Sequence, residues 1–297
     1  MTSPSPTLSP NGAARIDLTK KLRWRSIFSN SLDATVGILT CAAIVPLLSV
    51  IYMVLSHGAV HFRLSMLWQL PPAAGMEGGG FGNALLGTLI LVGIGALVSV
   101  PLGVLTAIFL TEYSRGSKSA RVIRFSAKIL SGLPSILAGV FIFGVLVVTT
   151  KHFSVMAGGL ALSILMLPIV ILSTEEALLR VPHFLREASL ALGANQTQTV
   201  LNVTLPTAAP AILTGVMLAI ARAAGETAPI IFTALTTPYW IQSLNEPTAS
   251  MSVLIYNFAT VPYKNLIDMA WSASFILILI VLVTNVISHF VVNRSKS

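Results

Sequence analysis

Six stretches of this chain, at about residues 33–55, 84–111, 130–149, 156–173, 210–235 and 269–292, are almost continuously apolar. Each is near the ~20 residues that a helix needs to cross a hydrocarbon core, the fourth being the shortest. Lipid supplies no hydrogen bonds to peptide groups, so only helices and closed barrels can span it. Barrel strands alternate polar and apolar with period 2, and no such alternation occurs here. Composition agrees: 55% of residues are apolar and 9% charged, with a mean hydropathy of +0.85. A soluble domain carries roughly a quarter charged residues. A water-soluble enzyme and a disordered chain are both excluded.

The first apolar run is too long for the core of a signal peptide, and no small-residue cleavage site closes it. It reads as a retained helix behind a disordered basic cytoplasmic tail, 1–32. The net charge of +8 comes from 18 Lys and Arg against 10 Asp and Glu. Fourteen of those basic residues fall in the N-terminal tail, the loops 112–129 and 174–209, and the C-terminal tail 293–297. Only Arg63, Lys151 and Lys264 fall on the opposite side, and Arg222 lies within a span. That asymmetry predicts a multi-pass protein with both termini cytoplasmic. The long loops 56–83 and 236–268 are then extracytoplasmic. Their Gly, Pro and aromatic residues fit either interfacial anchoring or a docking surface for an outside partner. A single cysteine, Cys41, excludes an intrachain disulfide, and no Cys/His spacing resembles a zinc site.

The cytoplasmic loop 174–209 has internal structure. Pro182 suits the first turn of a helix, and Gly193 suits the left-handed position beyond its end. Residues 183–192 lie between them without a breaker, with Leu185, Ala188 and Leu192 on one stripe. Asn195 to Val203 can form a second short helix, and Pro206 and Pro210 mark the start of the next span. By its residues alone, this hairpin is a partner-docking element or an amphipathic helix on the membrane surface.

Glu187-Ala188, Gly193 six residues after Glu187, and Leu205-Pro206 resemble the EAA loop of bacterial ABC importer permeases, with Ser189 in place of the second Ala. Further motifs resemble the phosphate permeases of that class: Asn83-Ala84-Leu85-Leu86-Gly87-Thr88, Pro101-Leu102-Gly103, Thr111-Glu112-Tyr113, and Gly132-Leu133-Pro134-Ser135-Ile136. The run Ala221-Arg222-Ala223-Ala224-Gly225-Glu226-Thr227-Ala228-Pro229 resembles the PstA-type subunit more than its PstC-type partner. The resemblance covers about residues 80–290. It implies a type I (MetI-like) importer permease: an all-α membrane protein with six transmembrane helices in the bacterial cytoplasmic (inner) membrane. It further implies a PstC-type permease chain as partner, two cytoplasmic ATPase subunits that use ATP and Mg, and an extracytoplasmic phosphate-binding protein. Under it, Arg186, Glu187, Ala188, Gly193, Leu205 and Pro206 belong to the ATPase-coupling loop. Arg222, Glu226 and Thr227 belong to the translocation pathway.

Arg222 and Glu226 stand four residues apart, on one helix face near the middle of the fifth span. A central charge costs at least ~2.5 kcal/mol on insertion scales, so both should face protein or water. Pro229 cannot donate to the carbonyl of Gly225 and is expected to kink the helix beside them. One reading gives Arg222 a phosphate oxyanion to bind through its planar fork, with Glu226 orienting it and limiting affinity. The other makes the pair a buried ion bridge that fixes packing.

No G-x-x-x-x-G-K-[ST] run occurs, and Gly-Lys is absent from the sequence. No Ser/His/Asp set suggests nucleophilic catalysis. The chain therefore reads as a transport subunit without its own ATPase site or cofactor. The remaining alternatives are a permease for another oxyanion such as molybdate or phosphonate, an ion-coupled secondary transporter, and an intramembrane enzyme or scaffold. A secondary transporter would show paired inverted repeats with broken helices in both halves, and none is evident.

The basic asymmetry generates a labelling prediction. In a Cys41→Ser background, Lys118→Cys and Glu187→Cys should react with an impermeant thiol reagent only from the cytoplasmic side. Glu77→Cys and Glu246→Cys should react only from outside. Outside reaction at position 118 contradicts the six-span topology.

Overall fold

The computed structural model describes residues 23–114 and 116–294, and the side chains of 28–114 and 116–286. The tail 1–22, Arg115 and residues 295–297 lie outside the described residues, as do the side chains of Arg23, Arg25, His289 and Arg294. The chain divides into two units, Met1–Met53 and Val54–Ser297.

In the first unit, α1 (Arg23–Met53) begins well before residue 33. It has no charged residue after Asp33. Two of its hydroxyls bond to its own carbonyls, Thr35 to Ser31 and Thr40 to Val36, and so need no outside partner.

The second unit opens with a π-helical turn, Val54–Gly58, and α2 (Ala59–His61). A 3-10 turn at Leu64–Leu67 leads to α3 (Gly82–Ile108), which ends in a π-helical turn, Phe109–Tyr113. Next come α4 (Lys118–Gly132), α5 (Ser135–Ile142), a π-helical turn at Phe143–Val147, and α6 (Val148–Thr150). Then follow α7 (Val155–Leu179), α8 (His183–Ala191), and α9 (Gln196–Thr199), which passes through a π-helical turn, Val200–Thr204, into α10 (Leu205–Ala224). Last are α11 (Ala228–Thr233), α12 (Met251–Ala259) and α13 (Lys264–Arg294). All regular structure among the described residues is helical.

Among the described residues, five helical runs are long and apolar enough to cross a bilayer: Phe28–His61, Gly82–Tyr113, Val155–Leu179, Gln196–Ala224 and Lys264–Val286. Lys118–Gly132 and Ser135–Thr150, bent by 103° at their junction, make a sixth if taken together. The main core lies where α3 and α7 pack against α10, with Leu91, Leu162, Met166, Val170 and Ala219 buried. Small residues let these helices approach: Gly95 faces Leu162 and Met166, and Gly103 faces Val170. A second cluster, Phe81, Met251, Leu254, Met269 and Ile276, ties α12 and α13 to the start of α3.

The start of α1 makes residues 23–32 helical where the sequence predicts a disordered tail, α13 starts at Lys264 rather than 269, and four further boundaries differ from the sequence expectation. The basic loop 112–129 contains α4, an amphipathic helix. It turns Ala120 and Ala127 onto Leu110 and Ile171, and exposes Lys118, Arg121 and Lys128. Leu133 and Pro134 are extended, so the third span starts at Ser135 rather than 130. The fourth span continues past 173 to Leu179, burying Thr174, Glu175 and Leu178. The fifth runs over Gln196–Ala224 instead of 210–235, and Pro206 and Pro210 lie inside it rather than at its start. The π-helical turn just before Pro206 supplies the local adjustment that lets a membrane helix carry prolines.

The loop 236–268 is not all loop. Its first part caps α7: Val155 N–H and Met156 N–H donate to the carbonyls of Glu246 and Leu244, satisfying donors that a helix start leaves orphaned. Its second part is α12, N-capped by Ser250, with Met251, Val253 and Leu254 buried.

A Cβ added at Gly87 would collide with the Ala249 carbonyl oxygen, whereas one at Gly93 meets nothing within 4 Å. Gly87→Ala should therefore destabilise the purified protein by about 1–3 kcal/mol. Gly93→Ala should be neutral or stabilise it by up to ~1 kcal/mol. Thermal unfolding of the two variants checks the contrast.

Candidate functional site

The chemistry-bearing residues gather at two places. The first is the break between α10 and α11. Gly225 closes α10, its N–H donating to Arg222 O, and Glu226 N–H donates to Ala223 O. Three residues later Pro229 sits in the first turn of α11, where its missing N–H costs nothing. The expected kink at Pro229 is thus a full break one turn earlier. Gly225 has no side chain to hold the helix, and Pro229 could not have bonded back to Gly225. Arg222 is consequently in the last turn of a helix rather than mid-span, where its charge complements the helix dipole.

The break is held from outside by α12. Ser252 Oγ donates to the Glu226 carbonyl at 2.6 Å. Met251 N–H donates to Thr88 Oγ1 at 2.8 Å, locking α12 to α3. The Arg222 Nε to Glu226 Oε1 distance is 3.8 Å; Arg222 keeps 53% of its side chain open, and Glu226 keeps 14%. They face a narrow space lined by Leu165, Met166 and Ile169 of α7 and Ala219 and Ala223 of α10. Thr227 is half-buried at the N-cap of α11, and its side chain makes no cap bond. The structure therefore brings Arg222, Glu226 and Thr227 together at one break. Arg222 has donors to spare for an anion.

The second place is the hairpin between α7 and α10. Here α8 spans His183–Ala191, with Pro182 just ahead of it rather than in its first turn. Gly193 has φ +88°, the left-handed value expected of it. Gly193 N–H donates to Leu190 O and Ala194 N–H to Ser189 O, a Schellman closure. Asn195 and Gln198 then form a reciprocal capping box that starts α9.

The stripe Leu185–Ala188–Leu192 is split in the structure. Leu185 packs inward on the main core, while Ala188 is exposed and Leu192 is 91% exposed. The outward face is Phe184, Glu187, Ala188 and Leu192. Glu187 pairs on the surface with His183 at 2.9 Å. Leu205 and Pro206 are not in the hairpin but in the first turn of α10, Leu205 packed on the main core and Pro206 exposed.

Arg186 is the departure that matters most. It is buried at 7% exposure rather than offered to a partner. Its Nη2 donates to Glu112 Oε1 at 2.9 Å and to Leu178 O at 2.8 Å, and its Nη1 donates to Val181 O at 2.8 Å. A second, half-buried bridge lies nearby: Arg124 of α4 pairs with the buried Glu175 of α7, and its Nη2 donates to Leu110 O at 3.2 Å. The sequence places Arg186 in the coupling loop and Glu112 in a permease-like motif, but it counts Arg124 only as positive charge and pairs neither arginine with its acid. The available signal was an excess of acids, Glu112, Glu175 and Glu176, at the ends of two apolar runs beside basic loops.

Comparison with known proteins agrees with this geometry. Residues 99–296 match the family described as the inner membrane component of binding-protein-dependent transport systems. The phosphate transport system permease protein PstA of Haemophilus influenzae is 38% identical over 83% of this chain and 87% of its own length. PstA 1 of Mycobacterium tuberculosis is 36% identical over 86% of this chain and 85% of its own. Among solved structures, a chain of the inward-facing MetNI methionine ABC transporter has a TM-score of 0.59, with 21% identity, covering 79% of this chain and 99% of its own. A chain of a bacterial alginate ABC transporter, solved with a pentasaccharide-bound periplasmic protein, has a TM-score of 0.64, with 13% identity, covering 92% of this chain and 98% of its own. The structural matches establish a shared helical fold, and the sequence matches go further: this chain belongs to the inner-membrane components of binding-protein-dependent transport systems, in the PstA family of phosphate transport permeases.

Proposed function

We propose that this chain forms one half of the membrane pathway of a phosphate importer, with the break at Gly225 as the phosphate-handling point and α8 as the contact for an ATPase. Its kinship with PstA proteins across 83% of its length carries the reading and makes it a permease subunit of a phosphate ABC importer. Other oxyanions and ion-coupled transport have no comparable support.

The complete transporter pairs this chain with a PstC-type permease. Two cytoplasmic ATPase subunits bind ATP with Mg, and a phosphate-binding protein delivers substrate from outside. Both termini are cytoplasmic, as the basic asymmetry requires. The outward face of α8 supports the ATPase contact: Phe184 is 65% exposed and Leu192 91%, an apolar patch on a hairpin whose turn is rigidly closed. Glu187 and Ala188 belong to that face, and Gly193 sets its angle. ATP binding closes the ATPases, the hairpin carries the motion to the spans, and alternating access releases phosphate inward.

At the break, Arg222 supplies a planar donor fork for the oxyanion. Glu226, held by its backbone through Ser252, gives Arg222 a second partner at 3.8 Å. A competing carboxylate keeps phosphate from binding too tightly to be released. Thr227 contributes a hydroxyl without a cap bond beside them.

Phosphate uptake normalised to intact complex tests this assignment. Arg222→Lys keeps the charge but loses the fork, and should impair uptake. Arg222→Gln should remove most uptake while assembly and ATPase association persist. If the pair served only packing, removing Arg222 would leave the largely buried Glu226 without its partner, and complex yield would fall with activity. The double variant Arg222→Met, Glu226→Leu should assemble yet stay inactive; uptake near wild type in it contradicts the assignment.

A further inference from the structure

We infer that Arg186 is the positioning residue that binds the coupling helix α8 to the ends of α3 and α7, so that the three move as one body when the ATPases push on α8. The inference rests on reading this chain as an ATPase-coupled permease, and it gives the motion a specific route.

Three elements meet on one guanidinium. Arg186 belongs to α8, Leu178 to the last turn of α7, Val181 to the link between α7 and α8, and Glu112 to the π-helical turn that ends α3. The planar fork divides the three acceptors between two separate nitrogens, a spread that the single nitrogen of an ammonium does not match. Glu112 and Arg186 are 7% and 8% exposed at the side chain. Neither charge can separate into water without leaving the other buried and unpaired, so the contact resists slipping under load.

The second arm of the hairpin grips the same turn. Gln196 Nε2 donates to the backbone carbonyl of Glu112, and Tyr113 OH lies 3.1 Å from Thr197 Oγ1. Glu112 is therefore held by its carboxylate from α8 and by its carbonyl from α9. On the far side, Arg124 fixes Leu110 O and Glu175. The outer face of α8 remains free for a partner. Arg186 thus works behind the docking surface rather than on it, and its role is transmission.

The test uses the whole complex, with its partner permease, ATPases and binding protein, in proteoliposomes. The readout is labelled phosphate taken up per ATP hydrolysed. A residue needed only for folding would lower both together and leave this ratio alone. Arg186→Gln and Glu112→Gln should each lower the ratio by roughly fivefold or more, the size of a typical coupling between sites. The double variant should be no worse than either single one, because both changes cut one network. Arg186→Lys should fall between. A wild-type ratio in assembled single variants overturns the inference, and so do losses that multiply in the double variant. Where a Gln variant does not assemble, Glu112→Asp decides, since it keeps the charge and shortens its reach by one methylene. It should lower the ratio, and a wild-type ratio overturns the inference. Absence of ATP-driven phosphate uptake by the unmodified complex would instead remove the functional reading, and this inference with it.

Discussion

A peptide group or a charge that enters lipid must bring its partner with it. Each unsatisfied backbone group costs several kcal/mol there, which makes every span a helix and every exception expensive. Among the described residues, several exceptions are compensated by a nearby group. The α10–α11 break gives its Glu226 carbonyl to Ser252. The prolines of α10 follow a π-helical turn. Hydroxyls such as Thr88 and Thr111 bond to the carbonyl four residues back. At the α10–α11 break, another segment, α12, has been placed to meet the departure.

The two charged centres are built on opposite principles. Arg222 and Glu226 are loosely paired, 3.8 Å apart, with the arginine half open. Such a pair can exchange a partner, as a group that receives and releases an anion must. Arg186 and Glu112 are closed, 2.9 Å apart, with both side chains under 10% exposed. Such a pair cannot exchange partners without leaving a bare charge in the protein, as a joint that carries force must not. In the proposed roles, the same residue types serve binding in one place and rigidity in the other, and the difference between them is burial.

Local signals were read well and tertiary ones poorly. Gly193 at +88° and a helix over His183–Ala191 follow from turn chemistry contained within a few residues. The PstA-like motifs carried family and function. The helix α4 was missed because five basic residues in 112–129 read as a loop, although Ala120, Ile123 and Ala127 form a helical stripe. The extent of the fifth span was misjudged because Pro206 and Pro210 look like helix starts, and a π-helical turn is invisible to residue patterns. The inward turn of Arg186 depends on Glu112, 74 positions away, and no local rule pairs them.

The central claim is that this chain belongs to the pathway of an ATP-driven phosphate importer. Labelled phosphate uptake into proteoliposomes bearing the full complex tests it most directly, with and without ATP, with ionophores, and with molybdate or phosphonate in excess. The account predicts uptake that requires ATP, survives collapse of ion gradients, is lost when this chain is omitted, and is not displaced by the other oxyanions. Uptake that ignores ATP and follows an ion gradient, or that molybdate or phosphonate abolishes, would contradict it.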